Sequence, residues 1–267
     1  MSIAIGFILG VLIAAIAWRA QTLSRSGAVA AAITGGLTFG LGGLPGAALL
    51  LTFFISSSLL SRMFARRKAS LDEKYAKGSQ RDWGQVLANG GLGTLLIVMY
   101  WLFPDVDWIW IAFVGAMAAV NADTWATEIG VFSRTPPRLL TTGRVVERGT
   151  SGGVTWLGYL AVVSGAGLIG LVAAFFYPQA TWIAVFGTAI LGGLAGSTVD
   201  SLLGATLQAI YYCPACKKET ERHPRHLCGT ATSHLRGLKW LNNDWVNFSC
   251  SLGGALTAAA IWVFLFG

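Results

Sequence analysis

The chain has 267 residues, 54% of them hydrophobic and only 12% charged, with 34 glycines, and its mean hydropathy is +0.62. Soluble domains carry about 25% charged residues, so a soluble globular enzyme is excluded and a polytopic membrane protein is expected. Its 19 Lys and Arg outnumber 12 acids, for a formal net charge of +7; topology and anionic lipid headgroups account for such an excess, and no nucleic-acid partner is expected.

Apolar windows near bilayer-spanning length fall at about 2–18, 27–43, 46–63, 85–103, 108–128, 153–177, 181–210 and 245–266. They predict an all-α transmembrane bundle of about eight helices, a single integral membrane domain over 1–267 with a Cys/His loop at 211–243. The first run, "MSIAIGFILGVLIAAIAW", lacks a basic start and a small-residue cleavage site, so it reads as a retained helix. Only "GGLPG" separates the second window from the third. Glycines in "TGGLTFGLGG" and "ILGGLAGS" suit close helix packing.

Alternate connections hold all 19 Lys and Arg: Arg19 and Arg25, Arg62 to Arg81, Arg134 to Arg148, and Lys217 to Lys239. The opposite ones, "GGLPG", "PDVD" and "YPQAT", hold none. The positive-inside rule therefore predicts both termini outside and the long loops cytoplasmic. Trp101, Trp108 and Trp110 flank "PDVD" as an interfacial aromatic belt would. In the fourth window, "RDWGQVLANGG" sets Gln85 and Asn89 one turn apart, as interhelical glue or as substrate contacts.

In that orientation Asp123, Glu128, Asp200 and Asp244 all come near the cytoplasmic ends of hydrophobic segments. Buried acids in such segments cost roughly 2.5–3.5 kcal/mol on insertion scales and are usually partnered and functional. Set beside basic loops, they are what a site for magnesium and several phosphates needs. Within "VNADTWATEIG", Asn121, Thr124 and Glu128 share one helical stripe, while Asp123 lies about 140° from Glu128. Either the helix unwinds there or the two acids serve different parts of a site; an ion pair with a loop arginine is the plainer alternative.

"GRVVERGTSGGVTW" brings Thr150, Ser151, Gly152 and Gly153 to an expected helix start, where N–H groups and the dipole favour an anion, with Arg144 and Arg148 nearby; an ordinary N-cap explains the same letters. "GSTVDSLLGATLQ" puts Asp200 among Ser197, Thr198, Ser201 and Thr206. "WLNNDWVN" offers Asn242, Asn243, Asp244 and Asn247, of which capping explains one. Cys213, Cys216, His226 and Cys228 read C-x2-C, a nine-residue gap, then H-x-C, with His223 as an alternate nitrogen ligand. In a reducing compartment three thiolates and an imidazole make a structural zinc knuckle; free thiols are the plain alternative. Cys250 lies within a helix as a packing residue.

"NADTWATEIG", "GTSGGVT", "DSLLGATLQ", "CPAC…HLCG" and "WLNNDWVN" follow in the order of the integral membrane family called domain of unknown function 92, which the chain resembles over nearly its whole length. That family has a characterised phytyl-phosphate kinase of tocopherol synthesis, and it is distantly similar to the phytol and dolichol kinases. The resemblance implies a prenyl-phosphate kinase: a phosphoryl group passes from a nucleoside triphosphate, CTP being favoured, to phytyl or geranylgeranyl monophosphate at the membrane interface. By matching blocks, Asp123, Glu128, Asp200 and Asp244 are the candidate catalytic and Mg²⁺-binding acids. Asn89, Asn243 and Asn247 would orient phosphates or nucleotide; Lys74, Lys77, Arg81, Arg144 and the backbone at Ser151, Gly152 and Gly153 would neutralise phosphate. The expected cofactors are Mg²⁺ and, from the Cys/His spacing, a structural Zn²⁺; the expected partners are a nucleoside triphosphate, a prenyl monophosphate lipid and the membrane, with an oligomer left open. A prokaryotic chain would sit in the cytoplasmic membrane. An ion-coupled transporter or lipid flippase is the competing reading, although the outer half of the chain looks apolar. A CDP-alcohol phosphotransferase would need a denser aspartate signature.

Overall fold

A computed structural model describes residues 2–68, 73–78, 80–177 and 182–266. Most of the "YPQAT" connection and part of the basic stretch between Arg62 and Arg81 lie outside the described residues. Seven helices occur among them: α1 (Ile3–Arg19), α2 (Arg25–Lys68), α3 (Trp83–Leu102), α4 (Asp107–Gly130), α5 (Trp156–Phe175), α6 (Trp182–Thr206) and α7 (Asn243–Phe266). Six are long and apolar enough to cross a membrane, and α1, at 17 residues, is a shorter apolar helix.

The second and third apolar windows both fall within α2, which breaks at Gly43 (φ 61°, ψ −152°). Only glycine takes this conformation without strain, and Pro45 then presets the first turn of the second arm. The two arms fold back on each other. A Cβ on Gly46 would lie 3.0 Å from the Thr38 carbonyl oxygen, whereas eight residues of unbroken helix would separate them by about 12 Å. Both outer ends return to Arg81. A Cβ on Gly27 would press on the Arg81 carbonyl, and the Arg81 guanidinium donates to Ser57 Oγ at 2.9 Å.

Helix α4 is the central post, buried without interruption from Ile109 to Ala122. Glycines let its neighbours approach closely: a Cβ on Gly115 would lie 2.4 Å from Ala258 Cβ and 2.5 Å from the Gly254 carbonyl oxygen of α7. On α6, a Cβ on Gly196 would lie 2.4 Å from Ala119 Cβ. This packing leaves no room between the helices there and fixes the register of Asp123 against Asp200. Polar links add to it: Asn121 Nδ2 donates to the Gly165 carbonyl at 2.7 Å, and Thr38 and Thr94 hydroxyls pair at 3.2 Å. Asn121, read above in the Glu128 stripe, is therefore an interhelical tie. Trp110, expected at the interface, is buried against Tyr100 and Phe113, while Trp101 and Trp108 are exposed.

The connections contain two small sheets that an all-helical reading does not anticipate. Strands β1 (Arg138–Leu139) and β2 (Gly153–Val154) pair antiparallel; β3 (Ile210–Cys213), β4 (Lys218–Thr220) and β5 (Ser233–Arg236) form a sheet in the order β4-β3-β5. Strands of two to four residues are too short to show a period-two pattern. The eighth window's predecessor is also trimmed: α6 stops at Thr206, and Ile210 belongs to a strand. All four basic connections meet at one end of the bundle. Arg81 exchanges backbone hydrogen bonds with Thr22 and Ser24, Lys74 accepts from the Glu221 amide at 2.8 Å, and Lys74 Nζ reaches Glu147 at 2.8 Å.

Candidate active site

A cavity of about 390 Å³ opens where these connections meet. Its walls carry four carboxylates (Asp123, Glu128, Asp200 and Glu221) and three cations (Lys77, Arg81 and Arg148), with Asn89, Asn243 and Asn247 between them. Of the residues expected from the sequence, Asp123, Glu128, Asp200, Lys77, Arg81, Asn89, Asn243, Asn247, Ser151, Gly152 and Gly153 are brought together here.

Helix α4 stays helical through Gly130, so it does not unwind near its end and its two acids face different neighbours. Asp123 faces α6, accepting from Ser197 Oγ at 3.2 Å. Asp123, Asp200 and Cys250 each bring one ligand-type atom within 4.8 Å of the others. The Asp200 Oδ2 atom is buried without a hydrogen-bond partner among the described residues. Glu128 faces α2, where Ser61 Oγ donates to it at 2.8 Å, and its charge acts on Arg81.

Arg81 is held from several sides. Its guanidinium donates to Ser57 and lies over the rings of Phe53 and Phe54, 5.5 and 5.7 Å from their centroids. Burial pushes it down to about 10, opposed by Glu128, so it remains cationic near pH 7. Lys77 bridges Asp82 at 2.9 Å and Asp244 at 2.5 Å. Burial opposes its charge, but those two carboxylates together raise its pKa above the ordinary lysine value. Asp244 thus stands one step behind the wall and holds Lys77. Asn242 is the α7 cap, its Oδ1 accepting from the amides of Asp244 and Trp245, which leaves Asn243 and Asn247 for the cavity.

Some expected residues lie elsewhere. Lys74 ties two loops, donating to Glu147 and to the Arg148 carbonyl, and Arg144 is exposed on the β1–β2 connection; neither lines the cavity. The "GTSGG" stretch is not a helix start. Helix α5 begins at Trp156, capped by Thr155, and Thr150 to Gly153 form a turn running into β2. Gly152 has φ +79°, and a Cβ there would lie 2.3 Å from the Ala205 amide nitrogen of α6. The turn therefore lies directly on α6 and presents Ser151 to the cavity.

Glu221 was not among the expected residues. Alternation along β4 would pair it with Glu219 on one face, but the strand ends at Thr220. The chain then turns, leaving Glu219 exposed and Glu221 inside. Its carboxylate accepts from Ser151 Oγ at 2.8 Å, Gln208 Nε2 at 2.9 Å and the Ala76 amide at 3.1 Å. Burial still raises its pKa, with Asp244 adding to the effect against those hydrogen bonds.

A second, apolar cavity of about 70 Å³ lies among α1, α2 and α3, lined by residues such as Ala14, Ala31, Leu51, Phe53 and Phe54. It shares Arg81, Gln85 and Asn89 with the polar cavity. An acid- and cation-lined chamber and a greasy one thus meet at a single guanidinium and two amides. Such an arrangement suits an amphipathic anion whose head contacts Arg81.

The cysteine cluster stands beside the site. Cys213, Cys216, His226 and Cys228 bring their ligand atoms within 4.8 Å of one another. His223 stacks on Tyr211, ring centroids 4.4 Å apart, so His226 is the residue the fold turns toward the thiols.

The family described as integral membrane protein DUF92 matches residues 8–255. Protein PGR of Arabidopsis thaliana is 34% identical over 281 residues, covering 96% of each chain. An uncharacterized membrane protein of Methanocaldococcus jannaschii is 35% identical over 190 residues, 71% of this chain and 76% of its own. Protein VTE6, chloroplastic, of Arabidopsis thaliana is 25% identical over 238 residues, 86% of this chain and 63% of its own. No solved structure gives a significant match.

Proposed function

The chain belongs to the integral membrane family DUF92, and from that premise we propose that it is a prenyl-phosphate kinase. The observation that carries the reading is the shared wall. Arg81, Gln85 and Asn89 border both a cavity with four carboxylates and an apolar one, as a lipid phosphate and a nucleoside triphosphate meeting head to head require. The likeness to phytyl-phosphate kinase supports the same chemistry.

A prenyl monophosphate is already largely dianionic at pH 7, its second pKa being about 6, so its oxygen can attack without a protein base. The new P–O bond forms at the γ-phosphorus as its bond to the β-bridging oxygen breaks, and the nucleoside diphosphate leaves. Catalysis is then positioning and charge neutralisation. Arg81 would hold the acceptor phosphate, with Asn89 beside it, and the apolar cavity would take the first part of the prenyl chain while the remainder lies along the bilayer. Lys77, Arg148 and the Ser151–Gly153 turn would face the triphosphate, with Asn243 and Asn247 orienting it.

Asp123 and Asp200 fit a hard divalent cation: they bring carboxylate oxygens together, and one buried oxygen of Asp200 lacks a partner among the described residues. Cys250 points its thiol at the Ala119 carbonyl and is too soft a donor for magnesium. Bound there, Mg²⁺ would neutralise charge on the transferring phosphates. The positive-inside rule places the site at the cytoplasmic face in this reading.

The test is purified protein with Mg²⁺ and phytyl or geranylgeranyl monophosphate, given CTP or ATP in parallel and read by mass spectrometry. Prenyl diphosphate is the expected product. No product from folded protein with either donor, together with lipid movement across liposomes containing it, would replace the kinase with a flippase.

A further inference from the structure

We propose that Cys213, Cys216, His226 and Cys228 bind one Zn²⁺, and that this ion braces the hairpin that carries Glu221 into the cavity wall. The four residues sit on two facing turns. Cys213 ends β3 opposite Lys218, with Cys216 in the turn between them. His226 and Cys228 lie on a second tight turn, where the His226 amide donates to Thr230 and the Gly229 amide to His226.

The distances fit a tetrahedral ion. Zn–S bonds of about 2.3 Å and Zn–N bonds of about 2.0 Å put ligand atoms roughly 3.5–3.8 Å apart along the tetrahedron's edges. Cys213 Sγ lies 3.6 Å from Cys228 Sγ, Cys216 Sγ 3.5 Å from His226 Nδ1, and that nitrogen 3.3 Å from Cys228 Sγ. A disulfide would need two sulfurs alone, whereas here three thiols and an imidazole converge on one point. The opposite ring nitrogen of His226 is buried without a partner among the described residues, so the metal bond itself would set the ring's tautomer.

The sheet around the cluster is small, and only β3 is largely buried. Its strands have four, three and four residues, and most of β4 and all of β5 are outside the core. A hairpin as short as β3–β4 is marginal in water by itself, and a structural metal supplies a further constraint. From its far end the hairpin reaches the site. Thr220 Oγ1 donates to the Glu73 carbonyl at 2.7 Å, the Glu221 amide donates to Lys74, and the Glu221 carboxylate holds Ser151, Gln208 and Ala76. Releasing the ion would loosen the segment at 73–77 and the turn at 149–153 together.

The experiment uses the full chain in detergent, purified without chelator. Elemental analysis should find about one zinc per chain, and Cys213→Ser with Cys216→Ser should abolish it. Should that variant fail to fold, the wild type suffices. Cobalt exchanged into it should give thiolate charge-transfer and tetrahedral d–d bands, and alkylation should spare Cys213, Cys216 and Cys228 until chelator is added. Wild type that takes up neither metal, with all three thiols alkylated from the start, overturns the site. Hydrogen exchange reads the brace: chelation should speed exchange at 73–77 and 149–153 but not along α4. Unchanged exchange at both segments after zinc loss overturns the bracing role. None of these readouts needs catalysis, so their failure is separate from failure of the kinase reading.

Discussion

Glu221 is enclosed by three donors, yet burial, with the charge of Asp244 adding to it, makes its proton harder to lose than in an unfolded chain. A carboxyl whose folded pKa is raised stabilises the fold fully below its unfolded value, near 4.3, and loses that contribution as pH rises through the folded value. The nucleotide-free protein should therefore lose thermal stability as pH climbs from the unfolded value through the raised folded one, and Glu221→Gln should flatten that slope. Parallel slopes for both proteins would show that the group titrates normally. Among the residues expected from the sequence, Asp123, Glu128 and Asp200 reach the cavity because helical spacing fixes which way an acid near a helix end faces. Glu221 and the outward placement of Arg144 depend on where short strands stop, which residue types do not encode.

At the scale of elements, the turn over α6 and the groove beside α2 set the two halves of the site. Gly152 combines φ +79° with direct contact on Ala205, so Gly152→Ala should cost about 1–3 kcal/mol and lower the thermal midpoint. Gly187 on the same helix α6 has nothing within 4 Å of a Cβ; Gly187→Ala should be neutral or stabilising by up to about 1 kcal/mol. Equal effects from the two would contradict the contact argument. Ala31 lines the apolar cavity, and Ala31→Phe should raise the KM for prenyl monophosphate about tenfold while leaving that for nucleotide unchanged. A matched rise in both would mean the groove is not the acceptor's. Hydropathy made the helices legible to within a few residues because a bilayer demands long apolar runs. It also marked the reversal at "GGLPG". It was silent on β1 to β5, whose strands are too short for periodicity, and on the start of α5, where Thr155 rather than the "GTSGG" stretch supplies the cap.

Over the whole molecule, the described basic residues are segregated to one end of the bundle, with every described acid but Asp105 and Asp107 beside them, and the glycine-spaced contacts among α4, α6 and α7 hold Asp123 and Asp200 in that end. Close packing leaves those helices little freedom to rock, which suits a fixed site at the interface better than a pathway through the membrane. In the kinase reading Asp123 and Asp200 together would hold the Mg²⁺ that neutralises the phosphates. The measurement that tests this most directly is the initial rate of prenyl diphosphate formation across a Mg²⁺ titration, for wild type, Asp123→Asn and Asp200→Asn. Thermal midpoints and zinc content are taken alongside. Wild type should saturate with Mg²⁺, while each variant, still folded, loses at least about 100-fold in rate. Folded variants that match wild type at every Mg²⁺ concentration would contradict the account.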